Sequence, residues 1–537
     1  MEDIRFIIAS IILIVLAILK QVHIIQLNSY NLDQQIIWYK KNVTSFAFNI
    51  ALIISTILFY EFRFIPAYYL IILAMIGMLI ENMPRKQKKK LVFTARIKRL
   101  IFVCILLFAI SFLIIFFILG NNVKYVLYLT ALNPVVIFIA YLICLPIENS
   151  FRKKFMNEAR DIIKSRIDEK PYLYTIGITG SFGKTSVKYY LSNILKYKYS
   201  VCITPESYNT PMGAVLTIKN DLKNINDVFI CEMGARRIGD IKEICDIVSP
   251  FSCILTDVGN MHLDTFKNIE NVLKTKFELV DAVCGNVNKT GYILLNGDND
   301  LIRKNAKLYD DKGREIFFYG LNDNNDFYAR DIEYSDKGTK FKFVVDVDKS
   351  KTKSDGSRID NTVFEVDTSL LGKYNIMNLV ATISFSLLMN IDKNDIISAV
   401  KKIEAVPHRL QLLAYDKNNI IIDDAYNSNP LGARNAVDVL STFKDYIKVI
   451  ITPGMVELYD KQDMENESFA EYASKKVDFA IVVGHTNKIA LDRGFEKTLD
   501  KEKIIDIERV EAAIAYARKN IDGKKVILLE NDLSDNY

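Results

Sequence analysis

Several features that would announce a function early are missing from this sequence. Its seven cysteines include no C-x-x-C pair and lie mostly in apolar surroundings. That excludes a zinc ribbon or a disulfide frame and reads as ordinary buried thiols of a reducing compartment. Net charge is only +5, and much of the basic excess sits in one segment beside apolar runs, so a nucleic-acid partner is not indicated. There is no internal repeat of solenoid period and no Leu-Ser-Gly-Gly-Gln signature of an ABC-type transport ATPase. The first apolar run has neither a basic leader nor a small-residue cleavage site, so it reads as an anchor and not as a removable signal peptide.

What the sequence does have is apolar residues, and they are unevenly placed. Half of the 537 residues are hydrophobic against 25% charged, and the excess is concentrated before residue 150 in runs too long and too poor in charge for soluble core helices. Five spans can be drawn: Phe6–Leu27, interrupted at Lys20, Gln21 and His23; Phe46–Phe59; Ile65–Ile80; Leu100–Gly120; and Tyr125–Ile147. The second and third are short, near or below the roughly 17-residue limit for a crossing helix. Basic residues cluster between spans three and four (Arg85, Lys86, Lys88, Lys89, Lys90, Arg96, Lys98, Arg99) and after span five (Arg152, Lys153, Lys154), while the loop between spans four and five has only Lys124. By the positive-inside rule the basic loops are cytoplasmic, with the N-terminus outside and everything after residue 150 in the cytoplasm. The expected localisation is therefore a multi-pass protein of the cell membrane with cytoplasmic catalytic domains.

The stretch that organises the remainder is Thr175-Ile-Gly-Ile-Thr-Gly-Ser-Phe-Gly-Lys-Thr-Ser186. An apolar strand, Tyr172–Ile178, runs into a Gly-rich turn and then a helix that opens with Lys184, Thr185 and Ser186. Such a turn aims backbone N–H groups and a helix N-terminus at one spot, to which Lys184 adds a full charge and Thr185 a hydroxyl for Mg²⁺. The spacing departs from the strict P-loop and fits a variant, Thr-Gly-x-x-Gly-Lys-Thr.

After a polar helix, Asn157–Glu169, apolar strand-like runs alternate with amphipathic helical ones: Tyr172–Ile178, Val228–Met233 and Cys253–Val258, then Ile420–Asp423, Ile447–Ile451, Phe479–Val483 and Val526–Leu529. That alternation predicts α/β architecture with parallel sheets covered by helices. Two such blocks fit the length, with a break near residues 393–407, giving an expected transmembrane region at 1–150 and domains at 151–395 and 396–537. The Lys/Asp/Ser-rich stretch Asp346–Asn361 is expected to be an exposed hairpin loop. Glu232, ending one apolar strand, stands where a phosphate-binding fold places a Mg²⁺-holding acid, although an acid at a strand end is as often structural. His262, in Asp257-Val-Gly-Asn-Met-His-Leu-Asp264, suits a metal or a phosphate oxygen, or is simply a satisfied polar residue. Lys276 falls on a helix, where most lysines are solvated.

Taken together, these pieces resemble the Mur ligase family of ATP-dependent acid–amine ligases, in its D-alanyl-D-alanine-adding branch. The resemblance covers residues 170–537 and is carried by Gly177-Ile-Thr-Gly-Ser-Phe-Gly-Lys-Thr, Asn209-Thr-Pro-Met-Gly213, Glu232-Met-Gly-Ala, His262-Leu-Asp and Lys274-Thr-Lys-Phe-Glu278. It continues in Gly372-Lys-Tyr-Asn-Ile-Met-Asn378, Ala405-Val-Pro-His-Arg-Leu410, Asp423-Asp-Ala-Tyr-Asn-Ser-Asn-Pro430 and Gly454-Met-Val-Glu-Leu458. It implies a P-loop-type central ATPase domain and a Rossmann-like C-terminal domain behind the membrane region. It implies ATP and Mg²⁺ as cofactors, with a carboxylate acceptor, nucleotide- or lipid-linked, and an amino acid or dipeptide as partners in peptidoglycan or related envelope synthesis.

Residue by residue, the resemblance implies that Thr179, Gly180, Ser181, Phe182, Gly183, Lys184, Thr185 and Ser186 hold the ATP phosphates. Asn375, Asn378, Arg409 and Asp424 would complete the nucleotide site. Thr185, Glu232, His262 and an N-carbamylated Lys276 would serve Mg²⁺; Lys184, Lys276 and His262 would be catalytic; Asn209, Thr210, Pro211 and Asn427 would face substrate. Three departures stand out. Tyr374-Asn375 replaces a His-Asn pair, Leu529–Tyr537 stands where a Lys-Gly-Ser-Arg segment is expected, and the apolar spans occupy the place of the domain that holds a uridine nucleotide. An ATP-driven transporter and a non-catalytic scaffold are the alternatives; the intact Lys184, Glu232, His262 and Lys276 speak against the scaffold.

Overall fold

The computed structural model describes the chain apart from residues 1, 29, 85–89, 121, 169–171, 207, 260, 262, 285–290, 310–314, 336, 354–355, 415–417, 426–429, 457, 459–460 and 532–537, and apart from the side chains of 2–3, 263–264 and 414. Two units are formed, Met1–Lys154 and Phe155–Tyr537.

The first unit is all helical: α1 (Glu2–Leu27), α2 (Leu32–Lys41), α3 (Ala47–Tyr60), α4 (Ala67–Asn82), α5 (Ala95–Phe117), α6 (Val123–Ala131) and the first part of α7 (Asn133–Asp168). Four helical segments, Ile4–Leu27, Val43–Tyr60, Ala95–Phe117 and Asn133–Asp168, are long and apolar enough to cross a membrane, and α4 is shorter. Their ends are pinned in an up-and-down order. At one end Lys20 of α1 pairs with Glu81 of α4 at 2.7 Å, and Arg99 of α5 clasps Glu148 of α7 through two bonds of 2.6 and 2.8 Å. At the other end Phe6 of α1 meets Tyr68 of α4 edge-on at 5.8 Å, and Lys124 of α6 pairs with Glu61 just past α3 at 3.0 Å. The polar interruption foreseen in the first span is thus neutralised: Glu81 takes Lys20, and Gln21 accepts from the Tyr39 hydroxyl at 3.1 Å.

Three expectations for this region are corrected. The span drawn at Tyr125–Ile147 is broken at Leu132, and the carbonyls freed there are satisfied by side chains, Thr130 O by Asn133 Nδ2 at 2.7 Å and Ala131 O by Asn49 Nδ2 at 2.8 Å. That is how non-helical backbone is tolerated away from water. The polar helix Asn157–Glu169 is not separate but the tail of α7. The short helix α2, capped by Asn31 and too polar to register as a span, was not foreseen. Of the basic cluster, Arg85, Lys86, Lys88 and Lys89 lie outside the described residues.

The second unit holds two sheets. The first has nine strands in the order β2-β3-β1-β4-β5-β6-β7-β8-β9: β1 (Tyr174–Thr179), β2 (Val201–Ile203), β3 (Val228–Glu232), β4 (Ser252–Leu255), β5 (Ile293–Asn296), β6 (Ile316–Gly320), β7 (Phe327–Ser335), β8 (Gly338–Val345) and β9 (Thr362–Thr368). Successive strand residues go to opposite faces, as the period of two requires. Val228 and Ile230 join a core with α8 (Lys184–Leu195), α14 (Lys373–Leu388) and α15 (Lys393–Lys402). Phe229 and Cys231 join another with α9 (Pro211–Asn220), α10 (Asp240–Val248) and α12 (Ile269–Cys284). Between these come the short α11 (Leu263–Phe266) and α13 (Asp300–Ala306). The all-parallel expectation is corrected here: pairing is parallel as far as β7, but β8 and β9 are antiparallel, because hairpin connections, one short and one long, stand in place of helical crossovers. Asp346–Asn361 is the β8–β9 hairpin connection, and Lys351 ties it down through a 2.8 Å ion pair with Asp326.

The second sheet runs β10-β11-β15-β12-β13-β14, from β10 (Gln411–Ala414), β11 (Asn419–Asp424), β12 (Ile447–Thr452), β13 (Phe479–Val483), β14 (Ile504–Ile507) and β15 (Lys525–Glu530). Only β10 is antiparallel to its neighbour. One face is covered by α16 (Pro430–Ser441), α17 (Gln462–Ser474) and α18 (Lys488–Phe495), the other by α19 (Val510–Asn520). The division foreseen at 395/396 moves downstream, since Ile396, Ala399, Val400 and Ile403 pack into the core of the first sheet. The chain therefore leaves that core only after Ile403.

Helix α8 carries the phosphate-loop residues, and α14 fixes its position. Tyr190 is fully buried and donates its hydroxyl to Asn375 Oδ1 at 2.9 Å, while Asn375 Nδ2 donates to Leu371 O at 2.9 Å. Tyr190→Phe removes the donor and leaves a buried amide oxygen unpaired, which costs roughly 1–3 kcal/mol. Thermal unfolding of the full chain should show a lower Tm with nucleotide affinity close to that of the parent; an unchanged Tm would show that the bond contributes nothing to docking α8.

Candidate active site

Strand β1 lies between β3 and β4, so the carboxyl ends of three adjacent strands open at one place. In the register Ile178 pairs with Glu232 and Thr179 with Leu255. Ligands of parallel α/β sheets bind at such an end. From Thr179 the chain turns through Gly180-Ser-Phe-Gly183 into α8, as the motif foretold. Gly183 has φ +79°, and a Cβ there would overlap the side-chain oxygen of Asn378; both the left-handed backbone and the close approach require glycine. The loop is braced from within. Ser181 N donates to Asp257 O at 2.7 Å, Gly259 N donates to Ser181 Oγ at 3.0 Å, Thr179 Oγ1 donates to Met233 O at 2.8 Å, and the Thr256 hydroxyl donates to the Phe182 carbonyl.

Lys184, the first residue of α8, folds back over this loop and donates to Gly180 O at 2.8 Å and Ser181 O at 3.2 Å. Burial lowers its pKa to about 8, opposed by Glu232 and reinforced by Arg409. A cation so destabilised favours an anion as partner. Arg409, between the two sheets in the chain, adds its positive charge to the lowering of the Lys184 pKa and opposes the raising of that of Asp424. Asp424, ending β11, accepts from Leu410 N at 3.1 Å, and burial raises its pKa to about 6. His408 Nδ1 lies 2.7 Å from Asp423 Oδ2.

Glu232 is 1% exposed and held at both oxygens. Oε1 accepts from the Thr185 hydroxyl at 3.0 Å and from Asn209 Nδ2 at 3.4 Å; Oε2 is 2.9 Å from Lys188 Nζ. A hydroxyl and a carboxylate oxygen side by side next to a phosphate loop form a hard oxygen set that suits Mg²⁺, which takes one or two protein ligands and keeps its remaining positions for water and phosphate. Lys276, on α12, is not solvated as a typical helix lysine would be: it is 4% exposed, and burial, with Lys184 adding to it, lowers its pKa to about 7. Burial also raises the pKa of Asp257, whose carboxylate accepts from Asn299 Nδ2 at 2.6 Å.

The expected residues thus fall into groups. Thr179 to Thr185, Glu232, Asn209 and Asn378 surround one loop, with Lys276 and Arg409 in electrostatic range of Lys184. Two assignments are corrected: Ser186 is 2% exposed and bonded to Tyr190, and both ends of the Asn375 amide are engaged in the core, so neither side chain is available to a nucleotide. Thr210 and Pro211 begin α9, with the Thr210 hydroxyl accepting from Gly213 N at 3.2 Å as an N-cap. His262 and Asn427 lie outside the described residues. Lys188 was overlooked, although its place three residues after Thr185 and four after Lys184 puts it on their helix face.

Comparison with known proteins places this geometry. The family model of the Mur ligase middle domain matches residues 178–385, and that of the Mur ligase glutamate ligase domain matches 408–530. The chain is 25% identical to the UDP-N-acetylmuramoyl-tripeptide–D-alanyl-D-alanine ligase of Bacillus subtilis over 357 residues, 66% of this chain and 72% of that one. It is 28% identical to the enzyme of the same name from Buchnera aphidicola over 361 residues, 64% of this chain and 74% of that one. Among solved structures, MurF ligase of Thermotoga maritima in complex with ADP superposes with a TM-score of 0.59 at 24% identity, over 71% of this chain and 80% of that one. MurF of Acinetobacter baumannii gives 0.60 at 20% identity, over 71% and 77%. Strands β2 to β15, the loop between β1 and α8 and Arg409 lie within the matched regions, and the chain belongs to the Mur ligase family.

Proposed function

We propose that this protein is a membrane-anchored, ATP-dependent ligase that joins a carboxylate to an amine through an acyl phosphate, acting on a peptidoglycan precursor or a related envelope intermediate. The observation that carries this reading is the convergence of Lys184, the Thr185–Glu232 pair and the charge of Arg409 on one glycine-braced loop. In the proposed reaction the acceptor carboxylate attacks the γ-phosphate, and the amine then displaces phosphate from the acyl phosphate. Lys184 and the loop amides would offset charge growing on the phosphoryl oxygens. Mg²⁺, when bound, would supply Lewis-acid stabilisation there, with Thr185 and Glu232 as its protein oxygens. Lys276, with a pKa near 7, has a substantial neutral fraction at physiological pH, as an amine must to add CO₂ and lose a proton to become a carbamate. Membership of a ligase family leaves no observation in favour of a transporter.

Anchoring is inferred from the first unit. Four of its helical segments have the length and composition of membrane spans, and α5 turns Phe102, Ile105, Leu106, Leu113 and Phe117 outward, all exposed. A soluble protein rarely presents so continuous an apolar surface. Confinement to a bilayer raises the effective concentration of a lipid-linked acceptor without any added contact.

ATP turnover by the full chain with candidate acceptors and amines tests the reading: an amide product supports it, and nucleotide hydrolysis without product under every pairing opposes it. Lys184→Ala should lower ligation roughly a hundred- to a thousand-fold with the fold intact. In the parent, ATP affinity should fall as pH rises through about 8, where Lys184 loses its proton, and the variant should lose that dependence. Lys276→Ala should be inactive and partly rescued by small carboxylates, and the parent should slow in CO₂-depleted buffer; an unmodified Lys276 in a nucleotide-bound crystal would refute carbamylation. For the acceptor, rates on lipid-linked substrate should be higher in vesicles than in dilute detergent, whereas equal rates would remove the case for presentation at the membrane.

A further inference from the structure

Lys188 is buried at 2% exposure, one helical turn beyond Lys184. Its ammonium is 2.9 Å from Glu232 Oε2 and donates to the Glu206 carbonyl at 2.6 Å. The two oxygens of Glu232 are therefore differentiated: Oε2 belongs to Lys188, and Oε1 is turned to the Thr185 hydroxyl, on the phosphate-loop side. Oε2 makes that ion-pair contact without a hydrogen bond and is otherwise unpartnered among the described residues, so the ammonium's charge is what biases the carboxylate toward offering Oε1 to a cation.

The second contact reaches the segment from β2 to α9. Glu206 has φ +39°, uncommon for a residue with a side chain. It stands where its carbonyl meets the ammonium. The same segment wraps the acid through two further bonds: Glu232 N donates to Thr204 Oγ1 at 3.1 Å, and Gly234 N donates to Asn209 O at 2.7 Å. One buried cation thus ties the phosphate-loop helix, the acid of β3 and the Glu206 carbonyl together. Burying an ammonium without compensation is expensive, and here the two oxygens it touches provide that compensation.

We propose that Lys188 is a positioning residue that sets one-oxygen presentation of Glu232 to Mg²⁺ and holds Glu206 against it. The proposal rests on the nucleotide and metal reading above. Lys188 touches neither substrate nor reacting atoms; it acts through Glu232.

The test is a Mg²⁺ titration of fluorescent ADP-analogue binding to the full chain, read apart from turnover, for the parent, Lys188→Met and Lys188→Arg. The parent should bind the analogue more tightly with Mg²⁺. Lys188→Met should bind it without Mg²⁺ within about twofold of the parent, yet need roughly tenfold more Mg²⁺ for half-saturation, a shift of about 1.4 kcal/mol. Lys188→Arg, which retains a cation, should recover most of the response. A folded Lys188→Met with an unchanged or lower Mg²⁺ requirement overturns the proposal while leaving the ligase reading in place, and a parent that binds no nucleotide overturns both. If Lys188→Met does not fold, Lys188→Met/Glu232→Gln decides: recovery of folding shows that the lysine serves the charge of Glu232, and failure of the double variant as well assigns Lys188 to the scaffold and overturns the proposal.

Discussion

A buried carboxylate at the end of β3 is the constraint on which the second unit turns. Glu232 is 1% exposed, and a charge so placed needs partners on every side. They come from separate pieces of chain: Thr185 and Lys188 from α8 and Asn209 from the segment after β2, where Thr204 also accepts from the Glu232 backbone N–H. Satisfying one acid therefore fixes the helix that follows the phosphate loop and the loop that precedes α9. The second cation of this face, Lys184, has no carboxylate in contact among the described residues; it rests on two loop carbonyls and keeps its charge only weakly. An anion arriving at the loop relieves that shortage.

Charge from the linker between the two sheets reaches the loop of the first. The first supplies the loop and the acid, but the positive charge of Arg409 reaches Lys184 from the linker leading into the second. Next to it, Asp424 ties its carboxylate to Leu410 N, so the linker is held where β11 ends. The first unit, with its long apolar helices, obeys a different rule. Its polar residues are neutralised locally, as in Lys20–Glu81 and Arg99–Glu148, and its broken helix is mended by Asn49 and Asn133. In both units these polar groups find partners; what differs is whether those partners are left able to receive a ligand.

Much of the site was legible because it is local. The strand, turn and helix around Gly180–Ser186 follow from residue order, and an acid ending an apolar strand can be found by inspection. Lys188 could have been read from helical spacing, but a lysine one turn into a helix looks solvated until something faces it. Ser186 and Asn375 show the opposite error. Each has the composition of a ligand-binding residue, yet each is consumed by Tyr190 in the packing of α8 on α14. The antiparallel β8 and β9 were missed because a hairpin strand and a buried parallel strand have similar apolar patterns over so few residues.

By itself the sequence determined the elements whose cause lies within a dozen residues: the apolar helices of the first unit, the glycine-bearing loop with its left-handed Gly183, and the alternation that sends Val228 and Ile230 to one face and Phe229 and Cys231 to the other. Periodicity and backbone sterics act over that range. Only the tertiary structure decided which polar residues serve the site and which serve the core, that the chain leaves the first core after Ile403, and that Lys276 is buried beside Lys184 with its pKa lowered to about 7. The physical reason is that desolvation and charge coupling depend on what surrounds a group in space, and for Lys276 and Lys184 those surroundings come from segments some ninety positions apart in the chain.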